Sequence, residues 1–321
     1  MILKRTIEGH SSGVISVCFD PSGRMLASGS DDKTIKLWDV TSGTEIRPFL
    51  QRQVEEIAPS GLFKMFKSKE KIYYDAPSHS SYVYSVCFDP SGQILASGSN
   101  DNTIKLWDVT SGKEIKTLIG HSNSVYSVCF DPSGQILASG SNDYTIKLWD
   151  VTSGKEIKTL IGHYSYVRSV CFDASGQILA SASFDNTIKL WDVTSGTEIK
   201  TLIGHSWYVY SVCFDPNGQI LASGSEDKTI KLWDVASGKE IKTLKGHSES
   251  VRSVCFDPSG QILASGSTDQ TIKLWEVTSG KEIKTLIGHS NWVLSVCFDP
   301  SGKKLASGSC DNTIKLWDII A

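Results

Sequence analysis

The chain repeats itself every 42 residues, and that period does more than any other feature to limit what it can become. His121, His163, His205, His247 and His289 keep this step, as do Trp107, Trp149, Trp191, Trp233, Trp275 and Trp317. Trp38 precedes Trp107 by 69 residues, one period plus 27. Seven copies are therefore present, with residues 51–77 inserted between the first and the second.

Each copy reads as four short strands separated by turns. In the third they are VYSVCF (125–130), QILASGS (135–141), TIKLWDV (145–151) and EIKTLI (156–161), rich in β-branched and aromatic residues. DPSG places proline second and glycine fourth, as a type I turn prefers, and SND-Y and VTSGK supply the next reversals. Four strands in 42 residues is the period of a propeller blade, not of a helical repeat. The pattern GH…SVCFDPSG…LASGSxDxTIKLWD, present over about nine-tenths of the chain, resembles the WD40 repeat. The resemblance implies an all-β fold: a seven-bladed β-propeller of four-stranded antiparallel blades, in a single domain over 1–321, with each first strand lining a central channel. The seventh copy ends at TIKLWDIIA, before a fourth strand, while ILKRTIE (2–8) resembles EIKTLIG. The N-terminal segment is therefore expected to complete the last blade and close the ring.

Composition narrows the function. A net charge of −3 gives no basic face for nucleic acid. No run of about 18 apolar residues predicts a membrane span and no secretory signal begins the chain, so a cytoplasmic, monomeric propeller without membrane contact is expected. Seven of the eight cysteines (Cys18, Cys87, Cys129, Cys171, Cys213, Cys255, Cys297) occupy one site per copy and form no CxxC pair; they read as small buried hydrophobes in a reducing compartment. No cofactor and no metal is expected.

Seven histidines accompanied by seven aspartates argue for structure, because catalysis needs one asymmetric constellation. The WD40 resemblance implies a buried hydrogen-bond chain of histidine, serine, aspartate and tryptophan: His121, Ser139, Asp143 and Trp149 in one copy, His205, Ser223, Asp227 and Trp233 in another. Either serine of ASGS fits the pattern. Ser78-His79 replaces Gly-His, which predicts a local departure in the second copy. The lysines of TIKLWD and the charges of KEIK read as solvated faces that discourage edge pairing.

Variation among the copies concentrates at five offsets. Two after the histidine stand Ser12, Ser81, Asn123, Ser165, Trp207, Glu249 and Asn291; three after, Gly13, Tyr82, Ser124, Tyr166, Tyr208, Ser250 and Trp292. Five after come Ile15, Tyr84, Tyr126, Arg168, Tyr210, Arg252 and Leu294. Around the turn aspartate, Asp31, Asn100, Asn142, Phe184, Glu226, Thr268 and Cys310 precede it, and Lys33, Asn102, Tyr144, Asn186, Lys228, Gln270 and Asn312 follow. In a four-stranded blade these offsets share one rim, around the channel mouth. Tyr, Trp and Arg are hot-spot residues, so Tyr82, Tyr84, Tyr126, Tyr166, Arg168, Phe184, Trp207, Tyr208, Tyr210, Glu226, Arg252 and Trp292 form the candidate partner-binding set.

The expected function is a non-catalytic platform for a protein or peptide, with Arg168 and Arg252 attracting a carboxylate or phosphate. The alternatives are a glycan-binding propeller and the sensor module of a larger assembly. An enzyme is not expected, since no HExxH, GxSxG or Walker-type motif occurs. The insertion QRQVEEIAPSGLFKMFKSKEKIYYDAP (51–77) falls at the variable rim and reads as a loop or lid with a short amphipathic segment.

Overall fold

A computed structural model describes residues 2–46 and 79–319. Seven antiparallel sheets follow one another along the chain. Those of the third copy comprise Val125–Phe130, Ile136–Ser141, Ile146–Asp150 and Glu156–Leu160, each within a residue of the sequence expectation. Six sheets have four strands. The first has three, Val14–Phe19, Met25–Ser30 and Ile35–Asp39, then a bridge from Trp38 to Glu45 where the other sheets begin their fourth. The insertion 51–77, and Ser78 with it, lies outside the described residues.

The sheets form a closed ring of blades. Their first strands contact each other in succession, the seventh touching the first. A belt of serine hydroxyls fastens these inner strands: Val86 N–H donates to Ser16 Oγ at 3.1 Å, Val128 to Ser85 at 3.1 Å, Val170 to Ser127 at 3.1 Å and Val212 to Ser169 at 3.2 Å. Val254 and Val296 continue it, and Val17 N–H closes it on Ser295 Oγ at 3.1 Å. Side chains alternate along a strand. Val17 and Phe19 therefore face the seventh blade, and Ser16 and Cys18 face the second, where Cys18 packs against the core of Ala27, Ile35, Val83 and Phe88. The seven cysteines are partly buried free thiols, each packed against the apolar core between its own blade and the next.

The apolar cores lie between blades. Ala138, Ile146, Leu148 and Leu160 of the third pack on Val167, Val170, Phe172, Leu179 and Trp191 of the fourth. Closure repeats this pattern. Ile2–Glu8 pairs antiparallel with Thr313–Asp318, with Ile7 opposite Ile314. Ile7, Ile314 and Leu316 then meet Val14, Phe19 and Trp38 of the first blade. Thr6 Oγ1 accepts from Lys315 Nζ at 2.9 Å, as Thr159 accepts from Lys147 at 2.8 Å.

The TIKLWD lysines depart from the sequence expectation. Lys189, Lys231 and Lys315 are buried. Lys147 pairs with Glu156 at 2.8 Å and Lys189 with Glu198 at 2.7 Å. Their stems lie along the sheet, and the charge reaches the outer strand's glutamate and threonine, so lysine here joins third strand to fourth.

Beneath the rim each blade carries the same polar chain. Trp149 Nε1–H donates to Ser139 Oγ at 2.8 Å, and His121 Nε2 lies 2.7 Å from that oxygen. His121 Nδ1 lies 2.8 Å from Asp143 Oδ2, which also accepts from Ser122 N at 3.0 Å. The assignment that satisfies every group runs Trp N–H to Ser, Ser O–H to His Nε2, His Nδ1–H to Asp. Ser139 is thus the serine involved, and His205, Ser223, Asp227 and Trp233 repeat the arrangement. So does His79, with Ser97 at 2.7 Å and Asp101 at 2.9 Å; its backbone departs in one respect, the His79 N–H reaching Lys33 O at 3.4 Å, a bond no other histidine of the seven makes among the described residues. The glycine of Gly-His makes room for the indole, since a Cβ on Gly120 would meet Trp149 Cη2 at 2.9 Å. Burial raises the Asp143 carboxyl, but hydrogen bonds from His121 and Thr145 outweigh it and hold the group well below the usual carboxylate range. Asp101, Asp185, Asp227 and Asp269 behave alike.

Three outcomes follow for stability. Deleting residues 2–8 exposes the Thr313–Asp318 edge and uncovers Val14 and Trp38, so the melting temperature falls markedly; an unchanged melt contradicts closure by this strand. Ser139→Ala leaves an indole N–H and an imidazole nitrogen buried without partners, costing about 1–3 kcal/mol for each, seen as a lower urea midpoint at unchanged slope. The depressed aspartates contribute stability fully above the unfolded-state pKa of about 3.9 and lose it as pH falls through the folded-state value. Melting temperature should therefore hold above about pH 5 and drop steeply below about pH 4, and a flat profile through that range refutes the coupling.

Candidate functional site

The five variable offsets meet because two loops at the same end of each blade are joined by backbone. The residue before the turn aspartate donates its N–H to the carbonyl three after the histidine: Asn100 to Tyr82 at 2.9 Å, Phe184 to Tyr166 at 3.0 Å, Glu226 to Tyr208 at 2.9 Å and Cys310 to Trp292 at 2.9 Å. Contacts also cross between blades, as where Ser124 Oγ donates to Asn100 Oδ1 at 2.7 Å. The variable side chains thus ring one mouth of the channel.

Within that ring the aromatics are not evenly spread. Tyr82 and Tyr84 lie 6.4 Å apart between ring centroids, Tyr84 and Tyr126 4.9 Å, Tyr126 and Tyr166 6.3 Å, Tyr166 and Phe184 5.5 Å. Phe184 stacks on Tyr208 at 4.4 Å and 9°, Tyr208 reaches Trp207 at 5.7 Å, and Tyr210 meets Phe184 edge-on at 5.3 Å. These spacings are those of favourable aromatic pairs. One connected arc therefore crosses the second to fifth blades. Trp292, though 50% exposed, has no ring contact with the arc among the described residues and stands apart from the set it was grouped with.

The arc has an inner and an outer tier. Tyr84, Tyr126, Arg168, Tyr210 and Arg252 are half-buried in the mouth, whereas Tyr82, Trp207 and Tyr208 are exposed. Arg168 Cζ sits 4.0 Å from the centroid of Tyr126 and 5.6 Å from that of Phe184; Arg252 Cζ sits 3.8 Å above Tyr210. Burial pushes the Tyr84 hydroxyl up to about 12, and Tyr126 adds to it. Glu226 is engaged with its own blade, its Oε2 accepting the Tyr210 hydroxyl at 2.9 Å.

One member escaped the sequence reading. Tyr144 joins the arc at 5.8 Å from Tyr166, is 45% exposed, and adopts φ 71°, a left-handed conformation that costs a non-glycine residue about 1 kcal/mol or more. Its place among the variable offsets was the available signal. The mouth of the opposite end holds a concavity of about 310 Å³ between Phe88, Phe130, Phe172 and Phe214 and the turns that follow them, Asp-Pro in three and Asp173-Ala174 in the fourth blade. Its carboxylates are spent on the turns themselves: Asp131 Oδ1 accepts from Ile136 N at 2.7 Å and Oδ2 from Ser133 Oγ at 2.5 Å. It repeats one lining blade by blade and offers no distinctive side chain.

Among the described residues no three His, Cys, Asp or Glu side chains converge as a metal site requires, and no helix is long and apolar enough to cross a membrane.

Comparison with known proteins agrees with the ring. Over 109 residues the chain is 33% identical to a chromatin assembly factor 1 subunit from Gallus gallus, a match that covers 34% of this chain and 18% of that protein. Over 128 residues it is 39% identical to nuclear distribution protein PAC1 of Fusarium vanettenii, covering 37% and 23%. A 40-residue stretch is 62% identical to vegetative incompatibility protein HET-E-1 of Podospora anserina, 12% of this chain and 3% of that one. The chain thus spans less than a quarter of these relatives. The family model described as WD domain, G-beta repeat matches residues 1–39, 71–108, 112–150, 154–192, 196–234, 238–276 and 280–318. All seven blades are matched, and this chain belongs to the WD40 repeat family.

Proposed function

We propose that this propeller is a non-catalytic docking platform for a protein or peptide, which lies on the aromatic arc from Tyr82 to Trp207. The observation that carries the reading is the contiguity of the arc: Phe184 of the fourth blade stacked on Tyr208 of the fifth, with Tyr166, Tyr144 and Trp207 around them. Drift at unconstrained exposed positions favours small and charged residues, not neighbouring rings on adjacent blades. Aromatic rings give large contact area for little lost rotamer freedom, and the exposed outer tier is what an incoming chain meets first. The relatives' names, a chromatin assembly factor subunit and a nuclear distribution protein, support a role within assemblies, and a propeller serving as one module of such an assembly fits the same face. Eight free thiols fit a reducing compartment, for which we propose the cytosol, with the propeller itself a monomer.

The experiment is selection from a random peptide library against the folded propeller, followed by affinity measurement with Trp207→Ala and Tyr208→Ala. Loss of a buried aromatic anchor costs about 2 kcal/mol or more, so each variant should weaken selected peptides roughly thirtyfold or more. Peptides that bind both variants as tightly as the parent reject the arc as the docking surface. Tyr144→Asn separates the two burdens on that residue: relieving the left-handed strain raises the melting temperature, while removing the ring weakens the same peptides.

A further inference from the structure

The inner tier of the mouth has two unlike sectors. Reading around it, Leu294 and Ile15 form an apolar side, and Tyr84, Tyr126, Arg168, Tyr210 and Arg252 form the rest. Each guanidinium carbon lies over a tyrosine ring, at 4.0 Å and 3.8 Å, a contact that uses none of its N–H donors. Those donors have no acceptor here. Arg168 Nε is buried without a hydrogen-bond partner, and among the described residues neither arginine forms an ion pair or a hydrogen bond. The carboxylates nearby do not serve them. Glu226 holds the Tyr210 hydroxyl, and Asp31, across the mouth, is made harder to ionise by burial and by Asp32. Burial and the neighbouring Arg252 together push the Arg168 guanidinium down to about 10. Two like charges on the fourth and sixth blades are therefore held in one tier of the mouth, partly desolvated, with cation–π contact to Tyr126 and Tyr210 as the compensation seen among the described residues. A buried charge without a partner is strongly unfavourable, and the apolar Leu294 and Ile15 show that this tier accepts uncharged residues.

We propose that the mouth is an anion site in which Arg168 and Arg252 together hold the phosphate of a phosphorylated side chain on the docked peptide. Two cations call for a dianion, and a phosphate near neutral pH carries about −1.5 to −2 with three acceptor oxygens, where one carboxylate neutralises a single arginine. The tyrosine platforms fix the forks for bidentate bonding. The source of the phosphate rests on the docking reading above; the site's chemistry does not.

The test is calorimetric titration at low salt with inorganic phosphate and with three capped tripeptides, Gly-phosphoserine-Gly, Gly-Glu-Gly and Gly-Ser-Gly. The phosphoserine peptide should bind, the glutamate peptide about tenfold or more weakly, and the serine peptide not measurably. Arg168→Met and Arg252→Met should each weaken the phosphoserine peptide by about tenfold or more, and Arg168→Met should raise the melting temperature of the ligand-free protein because it removes an unpaired charge. If Arg168→Met does not fold, Arg252→Met carries the same reading alone. Equal binding of the phosphoserine and serine peptides, or unchanged binding by Arg252→Met, overturns the site. Tighter binding of inorganic phosphate than of the phosphopeptide overturns the peptide as its source. Library peptides held by Trp207 and Tyr208 without any phosphate response reject the anion site alone; a phosphate response with no captured peptide rejects the docking reading alone.

Discussion

A blade of this propeller has an apolar face that nothing in the same blade covers. Ile146, Leu148 and Leu160 are buried only because Val167, Phe172 and Trp191 of the next blade lie against them, and the same dependence passes around the ring until Ile7 and Ile314 cover Val14 and Trp38. One copy alone cannot be stable on these terms, and an open row would leave an uncovered face at each end. This explains why the copies are so alike. Protein interiors are close-packed, and the residues of each interface here come from two blades, so a change in one copy is felt by its neighbour.

The polar chain from tryptophan to aspartate does a different job. The histidine stands at the base of the loop entering the inner strand, the aspartate in the turn between second and third strands, and their bond at 2.7–2.9 Å joins the two. The residues that vary lie within five positions of one or beside the other. Diversity at the rim is thus carried on two loops that a fully satisfied network fastens from below. Such networks are rigid because each member would be left unpaired without the rest. A face can then change its side chains from blade to blade without changing its backbone, which is why Asn100, Phe184 and Cys310 make the same N–H bond with unlike side chains.

The ring was legible in the sequence because its causes are periodic. A 42-residue step, strands that alternate, and turns that use proline and glycine at fixed places leave one architecture, and ILKRTIE (2–8) carried the closing strand in its likeness to EIKTLIG. Individual side-chain environments were less legible. The TIKLWD lysine looks solvated in a sequence, and only the register that sets Lys147 opposite Thr159 and near Glu156 shows it to be half-buried and paired. Cys18 looks like a core residue, and its place on the innermost strand leaves it partly buried against the core between the first and second blades. Of the rim, the sequence shows that residues differ; it does not show that Tyr166, Phe184 and Tyr208 touch while Trp292 does not, because that depends on which rings lean across a blade boundary.

The two ends of the ring treat backbone strain in opposite ways, and the contrast bears on which end is used. At the invariant end every left-handed position described is a glycine, from Gly23 and Gly43 to Gly302, so the turns there are relaxed. At the variable end the left-handed positions are Lys33, Asn102, Tyr144, Asn186, Lys228, Gln270 and Asn312, with φ between 68° and 71°, and no glycine relieves any of them. The same end holds three of the four buried polar atoms without partners among the described residues, Arg168 Nε, Asn142 Oδ1 and Asn186 Oδ1, the fourth being Arg5 Nε beside the turn at 41–43 at the other end. Selection for stability alone would have placed glycine and apolar side chains at these positions, as it did elsewhere in the same repeats. Strain at Lys33, Tyr144, Lys228 and Gln270, where asparagine or glycine would relieve it, and the larger share of the unpaired polar groups on the same face are what the proposed docking role would explain.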